Sequence, residues 1–180
     1  DIEKSGRDIV IPAKVGDNTV SRIDLAEPYF AWIDSLDVSQ VKELESFRLN
    51  LFDPKNKSKL KELDFSKNKK LKLIVISQTM ALKNITFNST CESIFLDGSD
   101  IKRVDLRSLE KLEDFSYYNG PLEELDISNN PNLEEIWIKN ANIKVLDVSK
   151  NPKLRIITVD EGTKIIGPTN AQIEYNKRTE

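Results

Sequence analysis

The chain has 180 residues, of which 38% are hydrophobic and 32% are charged, and its formal net charge is −3. This length is typical of one domain with a continuous core, and the weak negative charge does not favour general binding to nucleic acids or anionic membranes. Histidine is absent and cysteine occurs once. These counts exclude a catalytic histidine, a histidine metal ligand and an internal disulfide.

The first 59 residues contain loosely spaced segments in which apolar residues recur at intervals of three and then two, at 20–25, 33–39 and 44–49. An interval of two predicts a short strand with one buried face. The gaps between these segments are irregular, and the longest contains a loop at 52–56. We therefore predict an N-terminal cap with divergent repeats over 1–59, with a short helix after Pro28 and Trp32 in its core.

From residue 60 a phrase recurs that reads Leu-x-x-Leu-Asp-x-Ser and ends in Asn, at 60–68, 122–130 and, with Ile in first place, 143–151. A second phrase of the same shape, without the Asp and Ser, alternates with it, for example at 133–138. The central apolar residues follow one another at gaps of 9 to 11 residues, which leaves no room for helices. Asn-Pro pairs mark the corners. Two phrases thus make one coil of about 21 residues, and the coils stack as a solenoid.

Three further features of the chain have simple interpretations. The lysines of 55–72 are interrupted by acidic residues, which indicates a solvated loop and rim rather than a polyanion site. Cys91 occupies an apolar position of a second phrase and is predicted to be a small buried hydrophobic residue. Residues 163–180, with Gly162 just before them, are predicted to close the solenoid, so that 1–180 is a single domain. No apolar run approaches a membrane span.

The phrase Leu-x-x-Leu-x-Leu-x-x-Asn resembles the hallmark of leucine-rich repeat proteins, and the version found here resembles short repeats of secreted and surface proteins of bacteria such as Bacteroidetes. The resemblance covers 60–162 well and 20–50 loosely. It implies a right-handed, β-rich solenoid with short parallel strands on both faces and little helix. It also implies that the first phrase forms the concave parallel sheet and that Asn68, Asn130 and Asn151 bond backbone groups at the corners. Thr90 and Leu109 replace the Asn at two corners, which must be satisfied otherwise.

Stacking places equivalent positions in columns about 4.8 Å apart. One column is mostly acidic and consists of Asp37, Asp64, Thr86, Asp105, Asp126 and Asp147. We consider three roles for it. The residues two positions later follow it: Ser39, Ser66, Asn88, Arg107, Ser128 and Ser149. The three roles are an exposed hydrogen-bonded surface, a site for Ca²⁺ or a basic partner, and a carboxylate pair for glycoside cleavage. A flat repetitive surface lacks the asymmetric pocket that cleavage requires.

The second phrase presents a varied and partly apolar column at the same position: Arg48, Val75, Phe95, Ser116, Trp137 and Thr158. Leu73 and Ile156 flank it on one side, and Tyr118 and Lys139 on the other. Phe95, Tyr118 and Trp137 on neighbouring rungs form either an apolar binding patch or a set of rings packed on one another and under corner loops. We expect the binding residues to be Phe95, Tyr118, Trp137, Val75 and Arg48.

The resemblance implies a non-catalytic binding module for a protein or glycan, without cofactor, displayed outside the cell or on its surface. The chain begins at Asp1 rather than Met, so we expect a mature or trimmed fragment whose export signal lies elsewhere. Two alternatives are a structural spacer of a larger adhesin and a solenoid carbohydrate-active enzyme. The sequence does not identify the partner or the oligomeric state.

Overall fold

The computed structural model describes residues 8–26, 33–51 and 59–178, and this part of the chain consists of strands and turns without helix. The strands follow in this order: β1 (Asp8–Val10), β2 (Lys14–Val15), β3 (Asn18–Thr19), β4 (Arg22–Ala26), β5 (Ser35–Asp37), β6 (Ser46–Asn50), β7 (Glu62–Asp64), β8 (Leu73–Ser77), β9 (Asn84–Thr86), β10 (Ser93–Asp97), β11 (Asp114–Tyr118), β12 (Glu135–Lys139), β13 (Val145–Asp147), β14 (Ile156–Asp160), β15 (Lys164–Ile166) and β16 (Gln172–Asn176). No segment within the described ranges could therefore cross a membrane as a helix.

Eight of these strands form one parallel sheet in the order β4, β6, β8, β10, β11, β12, β14 and β16. Its register follows the repeat, since Ser93 pairs with Asp114 and Asp114 pairs with Glu135, which is one step of 21 residues each time. Equivalent residues of successive coils thus lie side by side. The predicted leucine-rich-repeat type of solenoid, with parallel strands on both sides and little helix, is confirmed.

The core runs the length of the solenoid between its two sides. Along the sheet strands every second side chain points inward, as at Ile94 and Leu96, which are almost fully buried. First-phrase residues meet them from the other side, and Phe65 packs edge-on against Phe47 with ring centroids 4.9 Å apart. Neither phrase can bury its apolar residues alone, so each coil is stabilised by the coils beside it.

The expectation that the first phrase forms the concave sheet is wrong, because the continuous sheet is built from the second phrase. First-phrase strands are three residues long and pair two at a time, in β1–β5, β7–β9 and β13–β15. Within the described ranges, an isolated bridge between Arg103 and Glu124 is the one further pairing on this side. The reason is local. The Asp carboxylate captures the amide two residues later and turns the chain out of the strand, whereas the second phrase continues for five residues.

Several predictions for the ends of the chain have different outcomes. The divergent segments of the N-terminal region do form strands, namely β4, β5 and β6, and β16 adds a last rung beside β14. The helix after Pro28, the place of Trp32 and the loop at 52–56 lie outside the described residues. The division into an N-terminal cap, regular repeats and a closing cap stays a prediction.

Candidate binding surface

The acidic column forms a surface that we call the Asp face, defined by Asp37, Asp64, Thr86, Asp105, Asp126 and Asp147. Its carboxylates have a structural task. Oδ1 of Asp126 accepts the amide of Ser128 at 3.0 Å, and Asp64 accepts the amide of Ser66 at 2.7 Å. The same two-residue hydrogen bond recurs at Asp37, Asp105 and Asp147. This is an Asx turn, which starts each corner at the end of a first-phrase strand.

These hydrogen bonds favour the ionised carboxylate. The amide and the hydroxyl of Ser128 hold the pKa of Asp126 below its ordinary value, and the following serine acts in the same way on Asp37 and Asp147. At Asp105 the guanidinium of Arg107 lowers the pKa to about 2. A general acid for glycoside cleavage requires the opposite shift. The carboxylates of Asp37, Asp105, Asp126 and Asp147 are therefore ionised at neutral pH and cannot donate a proton.

The Asp face also lacks the geometry of a cation site. Within the described ranges no group of three or more His, Cys, Asp or Glu side chains is arranged to hold a metal ion. Arg107 forms an ion pair with Asp105 at 2.7 Å, so one member of the column already has a cationic neighbour within its own coil. The Ca²⁺ hypothesis for this column consequently has no arrangement of ligands to support it.

The three corner asparagines are placed as the resemblance implies. Asn68, Asn130 and Asn151 are almost fully buried. The side-chain amide of Asn130 donates to the carbonyls of Leu106 and Leu109 in the preceding coil, at 3.0 and 2.8 Å. Asn68 and Asn151 form the same pair of bonds one coil away. This ladder of amides satisfies carbonyls that the turn leaves inside the core.

At the two corners without the Asn, the buried carbonyls are hydrogen-bonded by other side chains. At one corner the Thr90 hydroxyl donates to Lys69 O at 2.9 Å, while Asn88 donates to Leu71 O at 2.9 Å. Asn88 is buried, so its predicted outward position on the Asp face is wrong: the missing corner Asn is replaced from within the turn. At the other corner Leu109 is buried as an apolar residue and receives the bond from Asn130.

The second column lies on the outer surface of the eight-stranded sheet, which we call the sheet face. Arg48, Val75, Phe95, Ser116 and Trp137 are in direct register on successive strands. Arg48 is exposed, and the other four are half-buried. Thr158 continues the column but is almost fully buried. The sheet face is therefore more exposed at Arg48 than over its central strands, where the outward side chains are half-buried, and its predicted binding residues occupy one continuous strip.

Phe95, Tyr118 and Trp137 form the aromatic patch of the sheet face, on β10, β11 and β12. The rings of Phe95 and Tyr118 touch, with centroids 5.3 Å apart and planes inclined at 45°. The indole Nε1 of Trp137 donates to the carboxylate of Glu135 at 3.2 Å. The rings thus pack partly on one another, as one of the two interpretations expects, while each keeps part of its surface in solvent. Their binding role stays a prediction.

Carboxylates lie beside this patch at the first positions of β11 and β12 and at the residues that directly precede β10, β11 and β12. This acidic edge consists of Glu92, Glu113, Asp114, Glu134 and Glu135. Burial raises the pKa of Asp114, and the neighbouring Glu135, Glu113 and Glu134 raise it further, against a smaller opposing effect of Arg155. The shift is opposite in sign to the shifts on the Asp face. The acidic edge therefore keeps an excess of negative charge beside the ion pairs of Lys72 and Arg155, and the sequence analysis did not single it out.

A column of residues with a left-handed backbone follows the sheet strands, and the sequence analysis missed it as a set. Gln78, Gly98, Asn119 and Asn140 have φ between 52° and 63°. Asn140 donates to Asn119 and Asn119 donates to Asp97, each at 2.7 Å, so these side chains bond one another. The signal in the sequence is an Asn or Gly one residue after a strand, since these residues tolerate this conformation best.

Two predictions about individual side chains are confirmed. Cys91 is fully buried and unpaired, and burial raises the pKa of its thiol to about 12, which keeps it protonated and unreactive. The described lysines of the Lys-rich segment are exposed, and two of them form ion pairs, Lys70 with Glu43 and Lys72 with Glu92. The described part of that segment, 59–72, therefore carries its lysines on a solvated rim.

The chain resembles solved structures in fold more than it resembles any known sequence. No family model and no curated protein matches the chain. A solved structure described as the functional domain of InlJ from Listeria monocytogenes, which includes a cysteine ladder, superposes with a TM-score of 0.46 at 16% identity. The match covers 87% of this chain and 44% of that chain. A cysteine ladder cannot form in this chain, which contains one cysteine.

Proposed function

We propose that this chain is a non-catalytic binding module that recognises a protein partner through its sheet face, over β10, β11 and β12. The observation that carries the proposal is the contrast between the two sides of the solenoid. On the Asp face the polar side chains are repeated and bonded to their own coil. On the sheet face the central positions differ from strand to strand and keep part of their surface free.

The composition of the central sheet face supports binding. Tyr and Trp are enriched among residues that dominate interface energies, and the centre of an interface is usually apolar with a polar rim. Here Phe95, Tyr118 and Trp137 form the apolar centre. Val75 and Arg48 extend the same strip toward the N-terminal end of the sheet. A partner laid along the strip would contact several rungs of the solenoid at once.

The absence of catalysis is part of the proposal. It is supported by the lowered pKa values of the acidic column and by the lack of histidine in the chain. The resemblance of the repeats to those of secreted and surface proteins supports a location outside the cell. The competing role as a spacer of a larger adhesin requires no binding patch, so it predicts that removing the aromatic rings changes nothing but stability.

The test is binding to arrays of extracellular proteins and of glycans by the wild type and by a Phe95→Ala, Trp137→Ala double variant. The matched control is Val145→Ala with Ile166→Ala, which removes two exposed apolar side chains at β13 and β15, away from the sheet face. The proposal expects a protein ligand that the double variant loses and the control retains. A ligand that all three proteins hold equally well, or a glycan as the sole ligand, would refute it.

A further inference from the structure

The centre of the sheet face contains a slot whose shape follows from the strand register. Ser116 pairs with Phe95 on one side and with Trp137 on the other. The two aromatic residues are therefore two rungs apart, or about 10 Å, with a small hydroxyl side chain between them. Ser116 is itself half-buried and so reachable from solvent. Tyr118 packs on the Phe95 side, with ring centroids 5.3 Å apart, so a flat group would lie over Ser116 against the Trp137 ring, on the side of the acidic edge.

One end of this slot is negatively charged. Asp114 lies on the same strand as Ser116, and its direct neighbour across the ladder is Glu135, which also accepts the Trp137 indole N–H. Glu113 and Glu134 directly precede Asp114 and Glu135, just before β11 and β12 begin. Two cations reach the acidic edge: Lys72 bonds Glu92 at 3.0 Å, and Arg155 bonds Glu134 and Glu135 at 2.8 and 3.3 Å. Among the described residues, the five carboxylates of the acidic edge are thus offset by the cations of Lys72 and Arg155, and the edge keeps a net negative charge.

We propose that the slot receives an arginine or lysine side chain of an extended basic segment in the protein partner. The inference deepens the proposed function and rests on it. A guanidinium is planar, stacks on aromatic rings and pairs with carboxylates, so it matches the Trp137 ring, the small floor and the Asp114–Glu135 pair together. The pKa of Asp114 is raised first by burial and then by the carboxylates of Glu135, Glu113 and Glu134, and an added cation would offset the second of these causes.

The slot suits a cationic segment better than the other ligands that the surface suggests. An anionic partner would meet the acidic edge directly, and a metal ion finds no group of three ligands within the described ranges. A second candidate surface is the depression of about 520 Å³ lined by residues that include Asn119, Asn140 and Arg178. Its amides bond one another and Arg178 bonds Asn142, so its polar groups are already engaged.

The experiment measures fluorescence anisotropy with labelled ten-residue peptides that alternate Thr with Arg, Gln or Glu. The acidic variant is Asp114→Asn with Glu135→Gln. Its matched control is Glu123→Gln with Glu124→Gln, which removes the same charge from acids paired to Lys102 and Arg103 beside the Asp face. The Arg peptide should bind at least about tenfold more tightly than the Gln peptide, and the acidic variant should lose at least about tenfold while the control loses little.

Equal loss in the acidic variant and its control would overturn the inference, since it would show general attraction to net charge. Equal affinity for the three peptides would overturn it too. The aromatic double variant separates this failure from that of the proposed function. If a protein ligand depends on Phe95 and Trp137 but neither on the acidic edge nor on basic residues of its own, the slot inference fails while the proposed function stands. If neither the aromatic double variant nor the acidic variant loses binding, both the slot inference and the proposed function are refuted.

Discussion

Substitution of Asn130 directly tests how much the corner asparagines contribute to the stability of the solenoid. The side chain of Asn130 is fully buried, and its amide joins two coils by bonding Leu106 O and Leu109 O at 3.0 and 2.8 Å. Asn130→Ala removes both bonds and leaves a small cavity at the corner. The exposed neighbour Asn129 makes one long bond, to Arg107 O at 3.4 Å, so Asn129→Ala is a matched control.

The magnitude follows from what each carbonyl retains. Leu106 O still accepts the amide of Leu109, and Leu109 O still accepts the amide of Leu112, each at 3.0 Å. The carbonyls are not left without a partner, so each lost bond costs about 1 kcal/mol rather than the full desolvation penalty. The lost packing of a buried side chain adds about 1 kcal/mol. The free energy of unfolding should fall by about 3 kcal/mol, against at most about 0.5 kcal/mol for the control.

The assay is equilibrium unfolding in urea, followed by far-UV circular dichroism and by tryptophan fluorescence, to which Trp137 in the next sheet strand contributes. Both probes should report the same loss if the coils unfold together. A loss below about 1 kcal/mol in Asn130→Ala, or one equal to that of Asn129→Ala, would refute the view that the amide ladder stabilises the stack.

Three further predictions concern charge and backbone conformation. Asp114→Asn should raise the urea midpoint at pH 7 and not at pH 3, because the folded state raises the pKa of Asp114 and so penalises its ionised form as pH rises through that pKa; an equal effect at both pH values would contradict this cause. Asp105 has its pKa lowered to about 2, so its contribution is present above its unfolded pKa of about 4 and is lost as pH falls toward 2. Asp105→Asn should therefore lose less stability over that interval than the wild type, and an unchanged acid transition would count against it. Gly167→Ala should cost about 1–2 kcal/mol more in urea unfolding than Gly162→Ala, since both have positive φ but a Cβ at Gly167 would lie 2.7 Å from Ser149 N while Gly162 borders open space; equal costs would mean that the contact yields easily.

The repeat and its register could be predicted from the sequence because they depend on spacing alone. Apolar residues two apart on a period of about 21 residues require strands that stack, so the neighbours of Trp137 were accessible in advance. The corner role of Asn130 was available from the resemblance. The burial of Cys91 followed from its apolar position in the phrase.

Other features depend on short-range hydrogen bonds that spacing does not reveal. The Asp of the first phrase reads as a strand residue by its position, yet its bond to the amide two residues later ends the strand and transfers the continuous sheet to the other side. Asn88 reads as an outward residue by its position, yet its side chain turns inward and donates to Leu71 O at the corner where Thr90 replaces the asparagine. The acidic edge escaped notice because its residues are dispersed in the chain and meet only across the ladder, as Asp114 and Glu135 do.

The division of labour between the two sides of the solenoid is tested most directly by a ¹H–¹⁵N NMR titration of the wild-type chain with the Arg–Thr peptide. The account predicts that amide shifts concentrate on β10, β11 and β12, around Ser116 and Trp137. The amides of Ser66, Ser128 and Ser149, which are held by aspartates on the Asp face, should remain in place. Shifts centred on those serines, or no saturable shifts on the sheet, would contradict the assignment of binding to the sheet face.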